Sequence, residues 1–173
     1  MTMSTTTRLG AARAGLLSHT PVSTPIGMLT VIGSDAGIRA ILWDGEEVPG
    51  GVTDNGGIAV LAEAAAQLEA YFNGERTAFD LPLDLVGTPF QLEAWRALAE
   101  VPFGTTVTYG EQARRLGRPN AFRAVGAANG ANPVPIVLPC HRVVGSDGSL
   151  TGFGGGLATK RWLLDHEARD RLF

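Results

Sequence analysis

The spacing of apolar positions changes period several times along this chain. Residues 28–32 form a short apolar, β-prone run, Ser34-Asp35-Ala36-Gly37 supplies turn chemistry, and residues 38–43 resume the apolar run. This pattern predicts a β-hairpin within residues 24–43. Residues 45–57 carry glycines, Pro49 and acids and read as loop. Ile58, Leu61, Ala65, Leu68 and Phe72 then recur at helical spacing, with Gly74 as the stop, and such a stripe is what core packing requires. Residues 79–85 alternate as an edge strand or an extended linker would.

A second segment opens at Thr88. Thr88-Pro89-Phe90-Gln91 is a capping box with proline where a missing N–H is harmless, so a helix should run to about residue 100 and stop before Pro102-Phe103-Gly104. Thr108-Tyr109-Gly110-Glu111 is another capping box, heading a short helix to Leu116 with Gly117 as its cap. Asn120 is placed to cap a third helix over 121–129, closed by Gly130. Two short helices joined by Gly-Arg-Pro-Asn resemble a helix-turn-helix. The second of them presents mostly small residues, with Arg123 its only long polar side chain. Such a face suits close approach to a DNA backbone or minor groove without base reading, and it equally suits tight helix packing. In residues 132–144, Pro133, Pro135 and Pro139 forbid a helix, and the apolar run between them predicts burial. A last helix should open near Leu157 and carry Trp162, Leu163 and Leu164.

Composition narrows the class. The chain has 173 residues, 45% hydrophobic and 18% charged, which fits one large or two small globular domains and excludes a disordered chain. The net charge of −3 conceals an asymmetry: residues 1–87 are net −6 and residues 88–173 net +3. Between Tyr109 and Gly145, Glu111 is the only acid against Arg114, Arg115, Arg118, Arg123 and Arg142. Phosphate attraction acts over about 10 Å at moderate salt, so this local balance permits nucleic acid, though a solvated basic face would look the same. One cysteine excludes an intramolecular disulfide and a multi-cysteine zinc site. Residues 1–20 read as a loose tail without the apolar stretch of a signal peptide, and no window is apolar and long enough to span a membrane. A reducing, cytoplasmic setting is expected.

The chemistry concentrates at Cys140-His141. A lone buried cysteine is most often inert filler, but an adjacent imidazole can take a thiol proton, and an acid such as Glu167 in the last helix can orient that imidazole. Spacing alone also allows Glu167 to be a solvent-facing helix acid.

The stretch N-P-V-P-I-V-L-P-C-H-R-V-V, with F-G-T-T-V-T-Y-G and A-F-R-A-V-G before it and G-G-G-L-A-T-K-R-W-L-L-D-H-E after it, resembles the O6-alkylguanine-DNA alkyltransferases over residues 88–167. The N-terminal half is similar to that family's smaller domain only loosely. The resemblance implies an α+β protein: a small N-terminal α/β, RNase H-like domain over 21–87, and a mainly helical domain over 88–173 with a winged-helix-like helix-turn-helix. It implies irreversible, single-turnover transfer of a methyl or other alkyl group from O6 of guanine, and from O4 of thymine, to Cys140. His141 would be the base acting through a water and Glu167 its orienter. Asn132 would bridge helix and active-site loop, and Tyr109 would help to swing out the nucleotide. Arg123 would be the finger that fills the vacated stack, with Ala121, Ala124, Ala128 and Arg142 as further DNA contacts. Val143, Phe153, Gly155, Gly156 and Tyr109 would line the base pocket. Phe153 stands where relatives often carry tyrosine, so a hydroxyl bond to the base is not expected there. No metal and no cofactor are implied. The partner would be duplex DNA held through the minor groove without sequence preference by a monomer, with side-by-side binding left open. A cysteine hydrolase and a helix-turn-helix regulator without chemistry are the rival readings.

Overall fold

The computed structural model describes Leu9 and residues 16–169, which fall into two compact units, one ending at Val86 and the other beginning at Gly87. The first unit is built on a sheet of four strands in the order β3-β2-β1-β4. β1 is Ser18–Thr24, β2 Gly27–Ser34, β3 Gly37–Leu42 and β4 Thr53–Asp54. β1–β2 and β2–β3 are antiparallel, while β1–β4 is parallel. The predicted hairpin is β2–β3. Gly37 is required at its turn: its φ is +141°, and a Cβ there would lie 2.7 Å from the Pro82 carbonyl oxygen.

The strand that patterning missed is β1. Pro21 sits inside it, opposite Thr30. Because β4 pairs only with Ser18 and His19, β1 is a sheet edge from Thr20 onward, and there the missing N–H of a proline is tolerated. Residues 18–20 are therefore strand and not tail, a correction to the reading of 1–20; residues 1–8 and 10–15 lie outside the described residues. The segment at 79–85 touches the sheet at one bridge, where Ile38 N–H donates to Pro82 O at 2.8 Å and Asp84 N–H to Ile38 O at 2.9 Å. Helix α1 (Ala59–Phe72) buries Leu61, Ala64, Leu68 and Tyr71, with Leu29, Val31 and Ile41 buried in the sheet it covers. Ile32, Ala40 and Leu42 alternate to the other face, packed with Leu9, Leu17, Val48 and Val52. β3 is accordingly buried at every residue, including Arg39, which pairs with Asp84 at 2.6 Å.

The second unit is mainly helical: α2 (Pro89–Leu98), α3 (Tyr109–Arg115), α4 (Phe122–Gly130) and α5 (Leu157–Arg169), with a two-strand parallel pair β5 (Val107–Thr108) and β6 (Val143–Val144). Both predicted capping boxes form. Gln91 N–H donates to Thr88 Oγ1 at 3.2 Å and Thr88 N–H to Gln91 Oε1 at 3.0 Å; the Thr108–Glu111 pair repeats this at 3.1 and 2.6 Å. Glu111, the lone acid of the basic stretch, is thus spent on a helix end, and the backbone hydrogen bond from Thr108 lowers its pKa. The Asn120 cap does not form. Ala121 N–H donates back to Arg118 O at 2.9 Å, which closes a turn and delays the helix to Phe122, with Ala121 as its uncapped start.

Candidate active site

The helix-turn-helix is locked from inside. Gln112 of α3 and Asn129 of α4 exchange two buried amide hydrogen bonds, at 3.1 and 2.8 Å, and Gln112 Nε2 also donates to Ala94 O of α2. Trp95 Nε1 donates to Ala128 O at 2.7 Å. Each such bond contributes about 1 kcal/mol net, but stranding one of these amides would cost more, so the three helices are held in one register. Sequence patterning passed over Gln112 and Asn129 because polar residues on short helices read as surface.

This packing sorts the small face of α4. Arg123 and Ala124 are exposed and Ala121 is half-buried, while Ala128 is only 3% exposed and faces α2. Ala128 is therefore a packing residue and not a surface contact; the exposed small residue one position earlier is Ala127. Arg114, Arg115, Arg118 and Arg123 remain exposed, with Arg118 paired to Glu93 at 3.3 Å.

Past α4 the chain makes a tight excursion to the cysteine. The Asn132 side chain clamps it at both ends: Nδ2 donates to Leu138 O at 2.8 Å and Oδ1 accepts from Val134 N–H at 3.0 Å. Leu138 N–H donates to Val134 O at 2.9 Å. Between these bonds Ile136 is fully buried with φ +74°, a left-handed conformation that a β-branched residue rarely adopts. Cys140 then opens a 3-10 turn, Cys140–Arg142, that leads directly into β6. β6 pairs Val143 with Val107 and Val144 with Thr108, so the residue that caps α3 is tied to the residues that follow the cysteine.

Glu167 is not a solvent-facing helix acid: it is 1% exposed and faces inward. Its Oε1 lies 2.7 Å from His141 Nε2 and accepts from Arg142 Nη2 at 2.9 Å, while its Oε2 accepts from Arg142 Nε at 2.9 Å and from Gly104 N–H at 3.2 Å. Arg142 Nη1 donates to Val101 O at 2.6 Å. Arg142 is 6% exposed with its guanidinium consumed by these bonds, so its side chain is the buried counter-charge of Glu167 and not the exposed charge expected of a DNA contact. Its position among exposed arginines in the sequence suggested surface charge; a buried carboxylate 25 residues away needed a cation instead.

A further participant went unread. Lys160 is fully buried; its Nζ donates to Val143 O at 2.7 Å and to Thr151 O at 3.1 Å and lies 5.9 Å from the Tyr109 ring centroid. Tyr109 Oη donates to the same Thr151 carbonyl at 3.3 Å. The signal was available: Lys160, Leu163 and Glu167 fall at i, i+3 and i+7, one inward face of α5. The structure thus brings Asn132, Cys140, His141, Val143, Lys160, Glu167 and Tyr109 into one connected set. Phe153, Gly155 and Gly156 follow Thr151 in the loop that enters α5, where Gly156 O accepts from Lys160 N–H at 3.1 Å.

The electrostatics follow from burial. Desolvation raises the Cys140 thiol above its ordinary value, against the opposing pull of the Asn132 hydrogen bond and the Lys160 charge. Desolvation likewise lowers the His141 imidazole, more than the Glu167 contact raises it. Glu167 behaves oppositely: burial works to raise it, but hydrogen bonds and charge from His141 and Arg142 outweigh that and keep it ionised. At rest the set is a neutral thiol and a neutral imidazole beside a carboxylate–guanidinium pair. His141 Nε2 faces the carboxylate as N–H donor, which leaves Nδ1, buried and without a hydrogen bond among the described residues, as the basic nitrogen.

Comparison with known proteins agrees with this architecture. Residues 17–85 match the family model of the 6-O-methylguanine DNA methyltransferase ribonuclease-like domain, and residues 89–169 match that of its DNA-binding domain. The chain is 48% identical to a methylated-DNA–protein-cysteine methyltransferase of Mycolicibacterium paratuberculosis over 89% of this chain and 94% of that one. Against one of Methanosarcina barkeri it is 45% identical, over 84% and 94%. The crystal structure of Mycobacterium tuberculosis OGT in complex with DNA superposes with a TM-score of 0.83 at 44% identity, covering 88% of this chain and 94% of that one. With a ribonuclease-like unit, a helix-turn-helix unit and a buried cysteine beside its imidazole, the chain belongs to the 6-O-methylguanine DNA methyltransferase family.

Proposed function

We propose that this protein repairs DNA by direct reversal, taking the alkyl group from O6 of guanine onto Cys140. The observation that carries the reading is the buried His141–Glu167–Arg142 cluster directly after the sole cysteine. It supplies an oriented base where a thiol must be ionised, in a chain whose relatives are named for protein-cysteine methylation.

In the proposed mechanism His141 Nδ1 accepts the Cys140 proton through a water. The Glu167 carboxylate offsets the imidazolium that forms, and the Lys160 charge offsets the thiolate. The sulfur attacks the alkyl carbon, the carbon–O6 bond breaks, and its electron pair stays on the guanine, which takes a proton from the Tyr109 hydroxyl or solvent. The product is a thioether. No group in the cluster can cleave it, so each molecule acts once. O4 of thymine offers the same oxygen–alkyl bond and is a second substrate in this reading. A buried thiol cannot reach a base inside a duplex, so the nucleotide must be flipped, at a cost of a few kcal/mol, and the exposed Arg123 guanidinium fills the gap. The duplex is held from its minor groove, without sequence preference, by a monomer acting in the cytoplasm.

The test is to mix the protein with excess oligonucleotide carrying O6-methylguanine and weigh the intact chain. One added methylene per chain, mapped to Cys140, is the expected result. Turnover beyond one equivalent would favour a hydrolase, and no mass change would favour a binder without chemistry.

A further inference from the structure

We infer that Phe122 is a second DNA-contacting residue, an apolar wedge that lies against the strand beside the nucleotide Arg123 replaces. The inference rests on the repair reading, because it needs the α4 face to meet a duplex.

Phe122 is the first residue of α4 and is 48% exposed, one of few large hydrophobic side chains so open among the described residues. It is the only aromatic residue on that helix. The other exposed residues of α4 are Arg123, Ala124, Ala127 and Gly130, so Arg123 is the only other large side chain open on that helix. Val125 and Asn129, at i+3 and i+7 from Phe122, are buried, so the ring stands at the border of the packed face of α4, yet about half of its surface remains open. The Arg123 guanidinium stands 5.9 Å from the ring centroid, a distance at which a cation is held over an aromatic face. In the free protein the ring therefore carries the finger. When the guanidinium enters the stack, the ring loses that cover and is left on the same surface, beside the site of flipping. Proteins that open a duplex from the minor groove use apolar wedges of this kind, inserted between base steps or laid on sugars, and stacking tolerates any sequence. This also gives a nearly all-alanine reading face a source of affinity that does not depend on phosphate charge.

The two contributions separate by salt. Removing the Arg123 charge from a phosphate lowers the salt slope of binding by about one unit, whereas an apolar wedge adds affinity without changing the slope. The experiment uses the full-length chain with Phe122→Ala, Phe122→Leu and Phe122→Trp, all conservative for a half-exposed position. Binding to an undamaged duplex is measured from low to high salt, and single-turnover transfer is followed from O6-methylguanine in duplex and as the free base. Phe122→Ala should weaken duplex binding and slow duplex transfer roughly tenfold, the order of one aromatic stack, with the salt slope and the free-base rate unchanged. Phe122→Trp should restore both and Phe122→Leu only part. Duplex binding within twofold of wild type would overturn the wedge. So would a salt slope reduced by about one unit, which would reduce Phe122 to a support for Arg123, or a parallel fall in the free-base rate, which would make it structural. If the wild-type chain itself accepts no methyl group, the repair reading fails instead, and the two failures are told apart in one series.

Discussion

Replacing Glu167 with glutamine removes one negative charge from a buried position that receives four hydrogen bonds, from His141 Nε2, Arg142 Nε and Nη2, and Gly104 N–H. A glutamine amide offers one acceptor oxygen and one NH2. If the NH2 replaces Oε1 it meets the His141 and Arg142 Nη2 donors, and if it replaces Oε2 it meets Arg142 Nε and Gly104 N–H. Either way the Arg142 guanidinium is left buried without a counter-charge. Breaking one partner of such a pair typically costs about 3–5 kcal/mol, against a total stability of about 5–15 kcal/mol. The variant should therefore fold but unfold at clearly lower urea. Its His141 also loses the acceptor that fixes the tautomer, so transfer should slow by about 100-fold or more, the share a positioned base supplies. Glu167→Met combined with Arg142→Met separates the effects: an apolar pair of similar volume should recover most of the stability but none of the rate. The pH dependence has a definite sign. The folded carboxylate titrates below its unfolded value of about 4.3, so its contribution is complete above that pH and is lost as pH falls toward the folded value. The gap between wild type and Glu167→Gln should be full at neutrality and close in acid. Urea titrations followed by circular dichroism and single-turnover transfer assays measure the two quantities. A Glu167→Gln protein within about 1 kcal/mol of wild type and repairing at the wild-type rate would refute the reasoning.

Cys140→Ala should abolish transfer while leaving duplex affinity intact; residual demethylation would mean another nucleophile. Arg123→Ala should slow repair in duplex far more than reaction with free O6-methylguanine, and Arg123→Lys, which keeps the charge but not the planar group, should not restore the duplex rate. Because burial raises the Cys140 thiol, its alkylation by a haloacetamide should still be climbing above the ordinary thiol value of about 8.5, and Lys160→Gln should move that climb to higher pH. A profile levelling off near pH 7 in the unliganded protein would contradict this. The lowered His141 imidazole remains neutral at pH 6.5 and above, so repair should decline only on acidification below that value, as a pH–rate profile would show.

Much of this was legible in the chain because local physics decided it. The capping boxes at Thr88 and Thr108, the β2–β3 hairpin and the proline-broken approach to Cys140 are short-range matters, and each stands where patterning placed it. What patterning misplaced was decided at a distance. Pro21 hid a strand because nothing local says that its neighbour β4 is only two residues long. Arg142 looked like one more surface arginine until Glu167 turned inward. Gln112 and Asn129 are polar residues buried because particular partners await them, and no periodicity announces a partner, whereas Lys160 shares the i, i+3, i+7 face of Leu163 and Glu167. Ala128 failed for a simpler reason: on a helix whose residues are nearly all small, size does not tell the packed side from the open one.

Ile136 gives the fold a form of quality control. A β-branched residue at φ +74° is held there against its own preference by complete burial and by the Asn132 clamp around it, at a cost of order 1–3 kcal/mol. Four residues later comes the nucleophile. A chain whose core has not closed has no means to keep Ile136 in that conformation, so the turn that presents Cys140 relaxes together with any loss of packing. A reagent spent after one reaction gains from this, because its thiol is presented beside His141 only in a chain whose core has closed.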